Sequence, residues 1–167
     1  MKALFISAQG YEDLELFYPF YRLKEAGLEV DLASVETGPL KGIHGYQIQA
    51  NFQVSGMEAS NYGILVLPGG RAPQTLRNNE NVLTLVKKFF TREKLVAAIC
   101  HGPQILISAG LVGGRRMTAY KKVQPELSAA GAIVIDDPVV IDGRLITSRE
   151  PVDLPLFGRE IIKALGL

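Results

Sequence analysis

Four short runs constrain this chain more than anything else in its 167 residues: KALFISA (2–8), LEVDLAS (28–34), YGILVLPGG (62–70) and LVAAI (95–99). The first and the last two have almost no polar alternation, which is the pattern of strands buried on both faces. Longer segments with helical spacing separate them. YEDLELFYPFYRLKEAGLEV carries Leu14, Phe17, Tyr18, Tyr21 and Leu23 near helical period, with acids at its start and Gly27 as a stop. Pro19, inside that pattern, should kink the helix or mark its start. NVLTLVKKFFTREK (81–94) places Val82, Leu85, Val86 and Phe89 on one face. HGPQILISAGL continues the series with Pro103 in a first turn, where proline is tolerated. Strands that alternate with helices imply a mostly parallel sheet covered on both sides.

The rest of the chain fits that scheme. LKGIHGYQIQA (40–50) has Gly42 and Gly45 between extended flanks and reads as a hairpin excursion. AYKKVQPELSAAG is a weaker helix ending at Gly131, and AIVID and VVIDGRLITS are further strands, the second carrying an IDGR turn. VDLPLFGREIIKALGL closes the chain as a helix. The length suits one domain over residues 1–167, without repeat or linker.

Composition narrows the function. The net charge of +1, with no long run of one sign, gives no reason to expect nucleic acid or an anionic membrane as partner. The apolar runs fall far short of the ~20 residues that span a bilayer. The opening MKALFISAQGYEDLE turns acidic too soon for a signal peptide. A single cysteine forms no intrachain disulfide, so a reducing cytoplasm is the expected compartment.

That cysteine, Cys100, stands where the LVAAI strand turns into the next helix, and one of the two histidines, His101, follows it. In an open α/β sheet, ligands bind beyond the carboxyl ends of the strands. A helix start there favours an anion and hence a thiolate. Lowering a thiol pKa of ~8.5 by about three units takes ~4 kcal/mol. A helix end supplies only ~0.3–2 kcal/mol of that, so a hydrogen-bonding or cationic neighbour is needed. Neighbours in a helix do not face each other. Only a sharp turn, for which Gly102 gives room, would bring His101 to the thiol. The alternative is an inert buried cysteine.

LPGGR (67–71) ends the neighbouring strand in Gly69 and Gly70, either as a plain turn or as a place to aim backbone N–H groups at an oxyanion. Glu12 lies beyond the first strand at the same sheet edge, as a site carboxyl or as a helix-start acid. Cys100, His101 and His44 have no recognisable metal-ligand spacing, and His44 is expected at a surface or interface.

Taken together, AAICHGPQILISAGL, LVLPGGRAP, YEDLEL and SREPVDLP resemble the PfpI-type intracellular peptidases of the ThiJ/PfpI superfamily over nearly the whole chain. The resemblance implies a flavodoxin-like α/β/α sandwich with Cys100 as a strained elbow nucleophile. It further implies that Glu12 contacts the Cys100 sulfur as a protonated donor, that Gly70 and His101 supply an oxyanion hole, and that Tyr120 lines the site. Neither cofactor nor metal is expected. Homo-oligomers, a dimer or a trimer of dimers, are expected, with sites near their interfaces.

One position departs from the pattern. Family members commonly read GGRAPE, whose glutamate orients the histidine across a subunit interface. Here Gln74 stands in its place and cannot stabilise an imidazolium by charge. The resemblance allows a peptide substrate, but also the cofactor-independent glyoxalase and deglycase chemistry of the superfamily, in which a thiolate adds to a reactive aldehyde. The Gln74 substitution favours the aldehyde. The non-enzymatic alternative is a redox-sensing stress or chaperone-like protein that uses oxidation of Cys100. An elbow cysteine also occurs in glutamine amidotransferases, but they expect a later His-x-Glu pair, and no histidine follows His101.

Overall fold

The computed structural model describes residues 1–92 and 94–167. The chain begins with β1 (Lys2–Ile6), α1 (Asp13–Glu25) and β2 (Glu29–Ser34), followed by the hairpin strands β3 (Gly38–Lys41) and β4 (Gln47–Ala50) and the short β5 (Phe52–Gln53). Next come β6 (Ile64–Leu67), α2 (Ala72–Leu76), α3 (Glu80–Thr91), β7 (Leu95–Ile99) and α4 (Pro103–Ser108). The last part holds β8 (Arg116–Met117), α5 (Gln124–Ala129), β9 (Ile133–Val134), β10 (Val139–Asp142), β11 (Leu145–Ser148) and α6 (Leu154–Ala164).

The main sheet runs β10-β11-β7-β6-β1-β2-β5, and only the β10–β11 pair is antiparallel. Every residue of β6 and β7 is buried, as expected of central strands with helices on both faces. One face carries α1 against α6, while α2 and α3 pack with α4. The three-layer sandwich expected from the sequence is therefore the fold. The parallel β1, β6 and β7 are neighbours, so the loops after Ile6, Leu67 and Ile99 leave the same edge of the sheet. That edge carries the site.

Local structure follows the sequence closely in the helices. In α3, Val82, Leu85, Val86 and Phe89 are the buried residues, and Asn79 caps its start by accepting from Asn81 and Val82 N–H. Gly27 ends α1 at φ +87°, and the next N–H, from Leu28, returns to the Leu23 carbonyl.

Three elements differ from expectation. Pro19 does not mark the start of α1 but sits buried in its middle. The missing N–H is the one that would serve the Glu15 carbonyl, and burial of the ring among apolar neighbours offsets that loss. VVIDGRLITS is two strands folded back at Gly143 (φ +59°). A small parallel pair, β8 with β9, stands apart from the main sheet, and its first strand, only two residues long, has no period to detect.

The hairpin is tied to the start of α1. The buried Asp13 carboxylate accepts from His44 N–H (2.9 Å) and Tyr46 N–H (3.0 Å), and the Tyr11 hydroxyl donates to the Tyr46 carbonyl (2.7 Å). Gly42 is needed here, because a Cβ would run into the Asp13 carboxylate.

Phe89, fully buried between α3 and the sheet, tests the packing. Phe89→Ala should cost ~3–5 kcal/mol in denaturant unfolding, with no change in the alkylation chemistry of Cys100 in the folded fraction.

Candidate active site

Cys100 is the one non-glycine residue with positive φ (+63°) among the described residues. A side chain in this region costs about 1–3 kcal/mol and persists only when its surroundings impose it. Both backbone groups of Cys100 are engaged: its N–H donates to the Ser148 carbonyl on β11 (3.1 Å), and its C=O accepts from Tyr120 N–H (3.1 Å). Gly102 then donates to the Ile99 carbonyl (2.8 Å) and closes the turn, and a Cβ on Gly102 would strike the Leu67 carbonyl. The strand thus ends in a strained elbow that raises the sulfur at the sheet edge. Its helix, α4, has only six residues, so a macrodipole contributes little and individual N–H donors matter more.

The neighbouring loop supplies one of those donors. The Gly70 backbone N–H and that of His101 both lie near enough to the Cys100 sulfur to favour its charged form. Gly70 has φ +81°, bridges to Tyr11, and leaves no room for a Cβ against Glu12 N and the Gly10 carbonyl. A Cβ on Gly69 would fall 2.5 Å from Glu15 Oε2 and 2.9 Å from the Cys100 Cβ. The two glycines therefore let a backbone approach the sulfur where any side chain would displace it. Both donors expected for an oxyanion hole lie at the site.

The carboxyl that meets the sulfur is Glu15, not Glu12. Glu15 is fully buried, accepts from Gly69 N–H (2.9 Å) through Oε2, leaves Oε1 without a partner among the described residues and acts on the Cys100 thiol, which lies against the same glycine. Glu12 is the residue before the helix: its Oε2 caps α1 by accepting from Glu15 N–H (2.8 Å), and its Oε1 lies 3.2 Å from Nε2 of the exposed His44. The reason is helical geometry. Glu12 still has extended backbone, and only Glu15, one turn into α1, faces the sheet edge.

Burial first, then the charge of Glu12, lifts the Glu15 carboxyl from 4.5 to about 8. Burial, followed by the charge and hydrogen bond of Glu15, also pushes the Cys100 thiol up, against the downward pull of the His101 and Gly70 N–H groups. Burial and Glu15 thus work against the thiolate that the strand-end position alone would favour. Two coupled acids in one buried site share a proton economy. Glu15 is the group that gives and takes a proton near neutrality.

His101 lies beside Tyr120, with ring centroids 5.3 Å apart. Its Nδ1 is 3.2 Å from Gln104 Oε1 on α4, and Gln104 Nε2 donates to Glu126 Oε2 on α5 (2.7 Å). Glu126 is ion-paired to Arg77 at the end of α2, and Arg77 Nε also donates to the Ser108 hydroxyl (2.8 Å). Gln74 is exposed on α2, and among the described residues its amide group makes no hydrogen bond. Within one chain, Gln104 is thus the imidazole's partner. Gln104, Glu126 and Arg77 were not singled out in the sequence because they come from three separate helical segments with no common period. Gln104 alone had a local cue, its place in ICHGPQ.

A three-layer α/β sandwich with a strained cysteine elbow, a two-glycine turn and a buried carboxyl against the thiol defines a class of cysteine-centred proteins. The chain belongs to the DJ-1/PfpI family, whose model matches residues 1–164. It is 47% identical over 165 residues to Deglycase PfpI of Pyrococcus furiosus and 46% identical to Deglycase PH1704 of Pyrococcus horikoshii, covering 99% of each chain in both cases. Among solved structures, Drosophila melanogaster DJ-1beta superposes with a TM-score of 0.91 at 32% identity, over 99% of this chain and 91% of that one.

The raised Glu15 carboxyl has a signed consequence. Between about 4.5 and 8 the folded protein keeps a proton that the unfolded chain has lost, so stability falls as pH rises through that window. At ~1.36 kcal/mol per unit, the loss amounts to several kcal/mol. Glu15→Gln keeps an acceptor for Gly69 N–H and should therefore raise Tm more at pH 8.5 than at pH 5, as measured by calorimetry.

Reactivity gives a second readout. Wild-type alkylation by iodoacetamide should rise through pH about 8, following Glu15. In Glu15→Gln that step should vanish, and a single thiol ionisation should lie between the two steps of the wild-type pair.

Proposed function

We propose that this chain is a cysteine-dependent enzyme acting on small reactive carbonyl compounds, a glyoxalase or deglycase working through Cys100. The observation that carries the reading is the fully buried Glu15 carboxyl packed against Gly69 beside Cys100, where burial lifts it to about 8. Such a group titrates close to neutral pH, so its carboxylate can accept the thiol proton as the carbon–sulfur bond forms and its acid form can return it to the adduct. Four relatives at 46–47% identity bear the name deglycase, which supports the same substrate class.

The first step follows from the geometry. The sulfur bonds to the aldehyde carbon of a 2-oxoaldehyde as the thiol proton passes to the Glu15 carboxylate. The carbonyl π pair moves to oxygen, where the Gly70 and His101 N–H groups are within reach, and Glu15 returns the proton to give a neutral hemithioacetal. Transfer of the C1 hydrogen to C2 as a proton, by way of an enediol, converts this adduct to a 2-hydroxy thioester. Water then releases the 2-hydroxy acid and restores the thiol. The sum is oxoaldehyde plus water to hydroxy acid, with no net oxidation. In a glycated amine the same aldehyde is masked as a hemiaminal, and the amine is released when the sulfur takes its carbon.

The small substrate is favoured over a peptide by access and by charge. Cys100 is only 8% exposed, which suits a three-carbon aldehyde better than an extended backbone. The imidazole partner within the chain, Gln104, is neutral, so an imidazolium has no direct ionic support for expelling an amine. A free nucleophilic thiol works in a reducing compartment, and the proposal includes a cytoplasmic setting.

The test is methylglyoxal consumption with lactate detection, without glutathione, by wild type and Cys100→Ala, beside casein cleavage by both. Lactate from wild type only, without proteolysis, is the expected result. Cysteine-dependent proteolysis without lactate would overturn the proposal in favour of a peptidase. Silence in both assays would overturn it in favour of a redox role for Cys100.

A further inference from the structure

The His101–Gln104–Glu126–Arg77 chain has a direction, and the direction has a chemical consequence. A carboxylate can only accept hydrogen bonds. The Gln104 atom 2.7 Å from Glu126 Oε2 must therefore be its NH2 group, and the oxygen must face His101. An amide oxygen can only accept in its turn, so Nδ1 of His101 must carry a hydrogen. In a neutral imidazole the other nitrogen then holds the free lone pair. The fixed charge two residues removed from the ring thus selects which ring nitrogen is basic.

We propose that Glu126 is a positioning residue for His101, acting through Gln104 to hold the imidazole in the Nδ1–H form with Nε2 as its basic nitrogen. Its role for the reaction rests on the proposed aldehyde chemistry at Cys100, in which the basic Nε2 of His101 would carry the C1 proton to C2, but the tautomer itself does not.

The support is structural at each link. Arg77 takes the second Glu126 oxygen and is itself fixed by Ser108, at the end of the helix that carries Gln104. That ion pair, with the Gln104 hydrogen bond behind it, holds the Glu126 carboxyl below the ordinary carboxylate range, so the acceptor at the far end stays charged at neutral pH. Glu126 lies on α5 and Arg77 at the end of α2, and both converge on α4. A neutral group in place of Glu126 would let the Gln104 amide turn over, present NH2 to Nδ1 and stabilise the opposite tautomer. The relay supplies within one chain the orientation that Gln74, lacking a charge, does not.

The experiment uses the two-histidine simplicity of the protein. Long-range 1H–15N spectra of uniformly labelled enzyme, recorded about two units above the ordinary imidazole pKa of ~6.5, report which nitrogen carries the hydrogen. His44→Gln assigns the remaining signals to His101. Wild type should show a protonated Nδ1 and a pyridine-like Nε2. Glu126→Gln, close to isosteric, should move the population toward Nε2–H. Gln104→Leu, which leaves the Glu126–Arg77 pair in place, should also release the preference.

A wild-type Nε2–H tautomer, or a wild-type pattern unchanged in both variants, would overturn the inference. Where aldehyde turnover is present, Glu126→Gln should lower kcat about ten- to hundredfold with little change in KM. An unchanged kcat would overturn the catalytic part of the claim. Absence of turnover in wild type alongside the expected tautomers would sink the proposed function and leave the positioning role standing.

Discussion

The left-handed backbone at Cys100 is the constraint on which the rest of the site depends. An L residue at φ +63° is held there against its own preference, and the hold is distributed. Ser148 on β11 takes the N–H, Tyr120 gives its own N–H to the carbonyl, and Gly102 closes the turn beneath. These contacts come from three separate parts of the chain, so the elbow forms only once the sheet is complete. The strain is also what brings the sulfur, Glu15 and two N–H donors together. In a relaxed strand-to-helix connection the Cys100 side chain would be directed elsewhere.

Electrostatically, no fixed cation stands at the thiol among the described residues. The groups that act on the sulfur are a buried carboxyl and two backbone amides. Such a site does not store a reactive anion. In the proposed chemistry the thiol gives up its proton only as a bond forms, to the neighbouring Glu15 carboxylate. A neutral resting state also limits the desolvation penalty of a buried charge.

Much of the architecture was legible in the sequence because it rests on local pattern. The buried runs at β1, β6 and β7 and the apolar face of α3 could be named residue by residue, and the cysteine was placed at the sheet edge by topology alone. What was missed depended on phase or on distance. Glu12 and Glu15 both occur in YEDLEL, and which one reaches the sulfur depends on α1 beginning at Asp13, a boundary that sequence pattern locates only to within a few residues. The upward push on the Cys100 thiol was not legible for a related reason: it comes from burial and from Glu15, which the fold alone brings to the sulfur. The Gln104–Glu126–Arg77 chain joins positions 22 and 49 residues apart, and no local periodicity records it.

The acidic stretch at the head of α1 has a further consequence. Three carboxylates within four positions are committed to three different tasks: Glu12 caps the helix, Asp13 clasps the hairpin, and Glu15 serves the thiol. A change that conserves composition and net charge, such as exchanging Asp13 with Glu12, still breaks at least one of these assignments. Tolerance to mutation along this stretch is therefore governed by side-chain length and order rather than by charge. In an evolving lineage, these residues would have to drift together or not at all.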